Sequence, residues 1–194
     1  MLISEKGLIA CLKDAYKRSG YTIMESGGCA IIYTGTWFIR IPFADISNDV
    51  MSLIVKHAGL DVFRGEALHI MKDTDPQTVL QTVVGEDVNN WIQAAETWAV
   101  TRVPILVKGL QLYQIHYGPS SCYGTDPFVL QLVANTSDQY RAVVMDDSRI
   151  AWTSAESEEH VIVKAIRPIG APGFAPNDQK VWSALESVNL GPSE

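Results

Sequence analysis

The sequence predicts an α+β fold in which antiparallel sheets are packed with helices. Segments rich in β-branched and aromatic residues come in consecutive groups separated by glycine-containing turns, rather than alternating singly with helices. Segments whose apolar residues recur every three to four positions lie before, between and after these groups, which is the spacing of amphipathic helices. The chain has 194 residues, enough for one large core or two small ones.

Four helices are predicted from capping residues and apolar spacing. Ser4 and Ser47 can each cap a helix, and a glycine follows the apolar positions of both segments. The third helix is expected from Glu86 onward, where Val88 and later apolar residues have helical spacing. Asn177 is predicted to cap the last helix.

Nine segments rich in β-branched and aromatic residues predict the strands. The predicted strands lie at 21–25, 29–34, 36–43, 66–72, 78–84, 104–117, 127–134, 139–146 and 160–168.

The order of elements restarts near residue 86. This favours two similar α+β halves, 1–85 and 86–170, with a C-terminal loop and helix at 171–194. One compact unit is the alternative, since the two halves show no residue-by-residue repeat. Prolines and glycines exclude regular structure from 168–176.

Composition indicates a globular protein of the cytoplasm. The formal net charge of −7 disfavours broad nonspecific nucleic-acid binding, although a local basic stripe could still bind a backbone. The three cysteines are far apart, which argues against a disulfide framework. No apolar segment approaches the length of a membrane-spanning helix, and charged residues interrupt the N-terminal segment where a signal peptide would be apolar.

The segment 116–127, HYGPSSCYGTDP, brings a histidine, a cysteine and an aspartate together in sequence. In a catalytic interpretation Cys122 is the nucleophile, His116 its general base and Asp126 the group that orients the base. These side chains would have to converge in space, and the flanking residues match no cysteine-protease signature. The alternative is a hairpin loop shaped by glycine and proline. We favour the loop and assign no catalytic residue.

Other catalytic and cofactor motifs are missing from the sequence. The four histidines form no pair with metal-ligand spacing, and the chain has no Cys-x-x-Cys motif. The glycine-rich loops that cradle phosphates are absent. Acidic clusters such as Asp146 and Asp147 fall in predicted turns, where aspartate is common. We therefore expect neither a metal site nor a cofactor.

A basic stripe follows the first predicted helix. Lys6, Lys13 and Lys17 recur at helical spacing opposite the apolar residues, and Arg18 lies beside them. A solvated helix face commonly has this appearance. The same residues could also contact the phosphates of DNA, which positions a protein without reading sequence. These four residues are the candidate nucleic-acid-binding residues.

Several segments resemble DNA sliding clamps. Residues 101–115, TRVPILVKGLQLYQI, are similar to a clamp segment in which a basic residue and a proline precede an apolar strand. Residues 130–145, LQLVANTSDQYRAVVM, resemble the strand pair that follows. The segments 1–17 and 41–59 are similar to a clamp's first strand and helix and to its second helix. The resemblance implies a DNA-associated ring, although the chain is short for a clamp and its third predicted helix is acidic.

The sequence therefore predicts a non-catalytic binding or assembly protein. In its sharpest form this is a sliding-clamp-like ring that encircles or touches DNA, with exposed strand edges joining copies into a homo-oligomer. One alternative is a small cysteine-dependent hydrolase or transferase that uses the 116–127 loop. The other is a structural protein of a phage or mobile element. No membrane partner is expected.

Overall fold

One antiparallel sheet of eleven strands forms the centre of the protein. The computed structural model describes residues 1–59, 63, 65–93, 98–115, 121–134, 141–146, 148–153, 158–167 and 174–188. Its strands are β1 Tyr21–Ser26, β2 Cys29–Tyr33, β3 Trp37–Pro42, β4 Ala67–Ile70, β5 Gln77–Val79, β6 Trp98–Val107, β7 Leu110–Ile115, β8 Cys122–Thr125, β9 Arg141–Asp146, β10 Arg149–Thr153 and β11 His160–Lys164. Its helices are α1 Glu5–Lys17, α2 Asn48–Ala58, α3 Gln81–Ile92 and α4 Pro176–Glu186. The predicted α+β class is confirmed.

The sheet joins strands from both ends of the chain. Its spatial order is β5-β4-β1-β2-β3-β11-β10-β9-β6-β7-β8. The pairing of β3 with β11 connects the first five strands to the rest, with Phe38 opposite Ile162. The segments predicted as two halves, 1–85 and 86–170, therefore contribute to one continuous sheet.

The first two helices begin at the serines predicted to cap them. The Ser4 Oγ accepts a hydrogen bond from the backbone N–H of Gly7 at 3.2 Å, and the Ser47 Oγ accepts one from Val50 at 3.3 Å. Gly59 ends α2 with a φ of 85°, a left-handed conformation that favours glycine. None of the helices in the described ranges is long and apolar enough to cross a bilayer.

Helices cover both faces of the sheet. α1 and α2 pack on one face, in a cluster that includes Ile39 and Val161. α3 packs on the opposite face, where Trp91 lies in a cluster with Phe38 and Ile162. Neighbouring residues of a strand point to opposite sides, so these clusters lie on the two sides of the sheet. We call them the α1 face and the α3 face.

The last helix covers the far end of the α3 face. Trp182 of α4 is fully buried against Leu112 and Cys122. Leu112 is next to Tyr113, which is buried in the cluster of the α1 face, so α4 lies on the same side as α3. The helix begins at Pro176, after the cap residue Ala175 and not at the predicted cap Asn177.

The predicted strand 78–84 is wrong for most of its length. β5 ends at Val79 and α3 begins at Gln81, five residues before the predicted start of the third helix. Val84 and Trp91, seven residues apart, are both buried and lie on one side of α3. Tertiary packing of this helical stripe therefore outweighs the β propensity of the valines.

In the second half one predicted strand fails and two observed strands were not predicted. Val129–Leu132, inside the predicted strand 127–134, form a 3₁₀ helix. Its start is fixed by Asp126, whose Oδ1 accepts a hydrogen bond from Phe128 N–H at 2.9 Å. Conversely, β10 was not predicted, and β8 forms inside the segment interpreted as a loop.

The outer side of β8 is hydrogen-bonded, although β8 is the last strand of the sheet. The backbone N–H of Cys122 donates to Glu186 Oε1 at 3.0 Å, and its carbonyl accepts from Trp182 Nε1 at 3.0 Å. Gly124 exchanges two backbone hydrogen bonds with Ile166, at 2.9 and 2.8 Å. These groups are the ones a further strand would need, so this edge is closed to strand pairing.

Gly7 is the point of closest approach between α1 and the 3₁₀ helix. A Cβ at this position would overlap the backbone carbonyl of Gln131. No flexible side chain is available to move aside, because the obstructing atoms belong to the backbone. The absence of a side chain at Gly7 thus sets how α1 sits against the 3₁₀ helix.

We expect Gly7→Ala to lower the free energy of unfolding by about 2 kcal/mol or more, since the overlap outweighs the better helix propensity of alanine. Urea unfolding followed by circular dichroism measures the change. Gly85→Ala is the matched control: Gly85 is also helical, but a Cβ there meets no atom within 4 Å. The control should gain up to about 1 kcal/mol. A Gly7→Ala protein as stable as the wild type would contradict the close packing.

Candidate functional site

Cys122, the possible nucleophile, is a buried residue of β8. Its side chain is packed against Trp182, and its backbone is bonded to α4 on the outer side of the strand. Burial, with a smaller contribution from the negative charge of Glu186, raises the pKa of the thiol to about 12. Catalytic cysteines have depressed pKa values and accessible sulfur atoms. The Cys122 thiol has neither property.

The proposed catalytic partners are not assembled around this thiol in the described residues. Asp126 is exposed and uses its carboxylate to begin the 3₁₀ helix, while the charges that act on Cys122 are those of Glu186 and Arg167. His116 lies outside the described residues. The other two cysteines are also buried, and burial raises the pKa of Cys11 to about 12.

The lysines of the basic stripe are exposed on the outer side of α1. Lys6, Lys13 and Lys17 are all exposed to solvent. Arg18 is exposed too, but its Nε lies 2.9 Å from Asp14 Oδ1, so this charge is partly compensated. The stripe therefore consists mainly of the three lysines.

Two more cations join this surface from other elements. Lys56 of α2 and Lys13 both lower the pKa of His57, after the larger effect of burial. The two ammonium groups therefore lie close enough to His57 for both charges to act on it. Lys6 and Arg102, the latter from β6, line a cavity of about 320 Å³ that is bordered mainly by the start of α1 and the 3₁₀ helix. We call Lys6, Lys13, Lys17, Lys56 and Arg102 the basic face.

Sequence spacing identified the α1 residues of this face and missed the other two. Lys56 is on another helix, and Arg102 reaches the same side only because it pairs with Tyr113, whose side chain is buried on the α1 face. Acidic groups lie nearby as well: the carboxylate of Glu5 accepts a hydrogen bond from Ser47 at 2.8 Å.

A larger cavity of about 580 Å³ opens on the α3 face. It lies at the end of the sheet where the β2–β3 turn, with Thr34 and Gly35, meets the beginning of β10 and the end of β11. α3 forms one wall with Asp87, Asn90 and Trp91. We call it the sheet-end pocket.

A row of polar side chains forms one side of the sheet-end pocket. His69 Nδ1 lies 3.2 Å from Thr22 Oγ1, and the Tyr33 hydroxyl donates to Asp87 Oδ2 at 3.1 Å. Thr22 and Tyr33 are register partners and also share a side-chain hydrogen bond. Burial and the adjacent Asp87 raise the pKa of Tyr33 to about 12, so its hydroxyl stays a donor at neutral pH.

Two cations lie across the pocket from this row. Arg149 and Lys164 are register partners on β10 and β11, so they project from the same face of the sheet. The Arg149 guanidinium donates to the carbonyl oxygens of Asn90 and Gln93 at the end of α3, the latter at 2.8 Å. The pocket thus combines fixed hydrogen-bonding groups, two cations and the surface of a tryptophan.

Sequence reasoning did not identify this pocket. Its polar groups come from β1, β2, β4, β10, β11 and α3, which are far apart in the chain. The strand order was the missing information.

Neither known proteins nor a metal-ligand cluster among the described residues indicates a function. Among the described residues, no group of three or more histidine, cysteine, aspartate or glutamate side chains could hold a metal ion. Comparison with protein-family models, with curated proteins and with solved structures found no match. The function of this chain therefore has to be argued from its own surfaces.

Proposed function

We propose that this protein is a non-catalytic binding protein that associates with a nucleic-acid backbone through the basic face. The observation that carries the proposal is the presence of cations from α1, α2 and β6 on one side of the sheet. Exposed lysines on a helix suit contact with phosphates, because an ammonium is a compact charge on a flexible stem.

The negative net charge of the chain does not oppose this proposal. Glu86 and Asp87, the acidic residues of α3, lie on the helix that packs on the opposite face of the sheet from α1. A polyanion bound to the basic face would be separated from them by the sheet. Local charge and not net charge then governs the approach of DNA.

The basic face has dimensions that suit successive phosphates. α1 rises about 1.5 Å per residue, so Lys13 and Lys17 are about 6 Å apart along the helix axis and Lys6 is about 10 Å from Lys13. The phosphates of one DNA strand recur about every 3.4 Å along the duplex axis, so these intervals correspond to about two and about three phosphates. This spacing supports backbone contact and gives no base readout.

The sliding-clamp resemblance supports assembly of copies, and the strand edges limit how this could occur. β8 is closed on its outer side by α4 and Ile166. The opposite edge, β5, is three residues long and is followed by the exposed apolar residues Leu80 and Val83. We therefore infer that copies associate through β5 as a two-fold pair, in which the same edge serves both partners.

For the binding proposal, we expect salt-sensitive association with duplex DNA that weakens in the double variant Lys13→Gln, Lys17→Gln. Each lost phosphate contact lowers the magnitude of the salt slope by about 0.9, so the double variant should lower it by about two. Fluorescence anisotropy over a range of salt concentrations measures both quantities.

The control for this experiment is Lys180→Gln, an exposed lysine of α4 on the α3 face. It should leave the affinity and the salt slope unchanged. Absence of DNA association by the wild type, or equal weakening by both sets of variants, would refute the proposed use of the basic face.

For the assembly proposal, sedimentation velocity should show a species with the mass of two copies. Leu80→Lys should shift it to one copy, since a charge beside a sheet edge opposes pairing. Val188→Lys, which changes an exposed apolar residue two positions after the end of α4, should leave the pair intact. A wild-type protein that sediments as one copy at every concentration would rule out the β5 association.

The cysteine-enzyme alternative makes a different prediction for the same protein. Because the Cys122 pKa is raised to about 12, its thiolate fraction near neutral pH is on the order of a thousandfold below that of a free cysteine. Iodoacetamide should therefore label Cys122 slowly in the folded protein, as it does Cys11, and rapidly in urea. Peptide mass spectrometry reports each site. Rapid labelling of Cys122 in the folded state would revive the enzyme alternative.

A further inference from the structure

The sheet-end pocket has the properties of a small-molecule site that is separate from the basic face. Its volume of about 580 Å³ lies within the range of about 300–1,000 Å³ that is common for ligand sites. It opens on the α3 face, whereas the proposed nucleic-acid contact is on the α1 face. A ligand here would therefore be additional to the proposed function.

The arrangement of the two cations favours an anionic ligand. Arg149 and Lys164 are register partners on β10 and β11, so both positively charged side chains project from the face of the sheet on which the pocket opens. Lys164 is exposed, and within the described part of the chain no carboxylate lies in ion-pair distance of its ammonium group. An oxyanion beside Lys164 would form a charge-assisted hydrogen bond with its ammonium group.

The position of the cations is well determined by the surrounding structure. The guanidinium of Arg149 is anchored on the last carbonyl groups of α3, through Asn90 and Gln93. The backbone N–H of Lys164 donates to the Thr36 carbonyl at 2.9 Å, which fixes the end of β11 beside the β2–β3 turn. Binding would then require little rearrangement of the backbone.

The remaining walls favour an organic molecule over a bare ion. Trp91 lines the pocket, and its ring is packed against that of Phe38, with the ring centroids 6.2 Å apart. An aromatic surface of this kind suits a planar ring. The hydrogen-bonded row from His69 to Asp87 also lines the pocket and presents polar atoms whose orientations are fixed by their neighbours.

We propose that the sheet-end pocket binds a small organic oxyanion that carries a ring. The phosphate or carboxylate lies between Lys164 and Arg149, and the ring lies against Trp91. Asn90 and the polar row hydrogen-bond to substituents of the ring and so restrict which molecules fit.

Four probes separate the contributions of the two ligand parts. Adenosine 5′-monophosphate and benzoate carry both a ring and an oxyanion, adenosine carries the ring, and inorganic phosphate carries the oxyanion. Binding to the full chain is followed by the ¹H–¹⁵N signals of the Trp91 indole and the Gly35 amide. At least one of the first two probes should bind about tenfold more tightly than adenosine and inorganic phosphate, and which one binds distinguishes a phosphate from a carboxylate ligand.

Two variants locate the binding in the pocket. Lys164→Gln should weaken binding of that probe about tenfold or more, because a charge-assisted hydrogen bond is lost. Gly35→Phe should obstruct the rim and weaken binding of that probe, and the backbone there has room for a Cβ, which meets no atom within 4 Å. Lys180→Gln, on α4, should have no effect, and Lys164→Gln should leave DNA association unchanged.

Three results would overturn the inference. The first is that neither adenosine 5′-monophosphate nor benzoate shifts the two signals at millimolar concentration. The second is that adenosine binds as tightly as its monophosphate and benzoate does not bind, which would remove the role of the cations. The third is that Lys164→Gln and Lys180→Gln weaken binding equally, which would indicate general charge attraction.

Discussion

The pairing of β3 with β11 is the contact on which the rest of the architecture depends. It places His160 opposite Arg40 and Val163 opposite Trp37, and thereby joins the strands of residues 21–79 to those that follow residue 98. Without it the chain would have two smaller sheets, each with an additional unpaired edge. The same pairing brings the end of β11 to the β2–β3 turn, so the sheet-end pocket exists only when both parts of the sheet are joined.

Burial of both sides of the sheet then determines where function can reside. Central strands carry apolar residues at successive positions, as in β2 and β11, and therefore need helices on each side. α1 and α2 leave their lysines outside on one side, while α3 leaves room beside the sheet on the other. The cysteines are used in the interior, where a thiol behaves as a small apolar group. This division favours binding surfaces over a reactive centre built on sulfur.

Local signals in the sequence were sufficient for part of the fold. The helix caps at Ser4 and Ser47 depend on residues three positions away, and the hairpins from β1 to β3 depend on short turns, so both could be predicted. The segment 78–84 could not, because its β-branched residues fit a strand equally well until α3 packs against the sheet. Nor could the 3₁₀ helix at Val129–Leu132, because its apolar residues are buried by packing against α1, which is distant in the sequence.

The two candidate sites also differ in how far local sequence signals predict them. Three members of the basic face lie on a single helix, so their common orientation follows from helical periodicity alone. The sheet-end pocket has no such periodic signature, because Thr22, His69, Asp87 and Lys164 meet only through strand order and the placement of α3. A site assembled from many elements is visible only after the topology is known.

The saturated backbone of β8 has a consequence for the behaviour of this protein at high concentration. Glu186 and Trp182 protect the last strand, since they bind the amide and the carbonyl of Cys122 with which an incoming strand would pair. Assembly by strand addition would stop once the outer edge of β5 was paired, and a filament could not propagate in this way. Detachment of α4 would expose the edge of β8 and remove that limit, so this helix protects the protein from aggregation in addition to packing on the sheet.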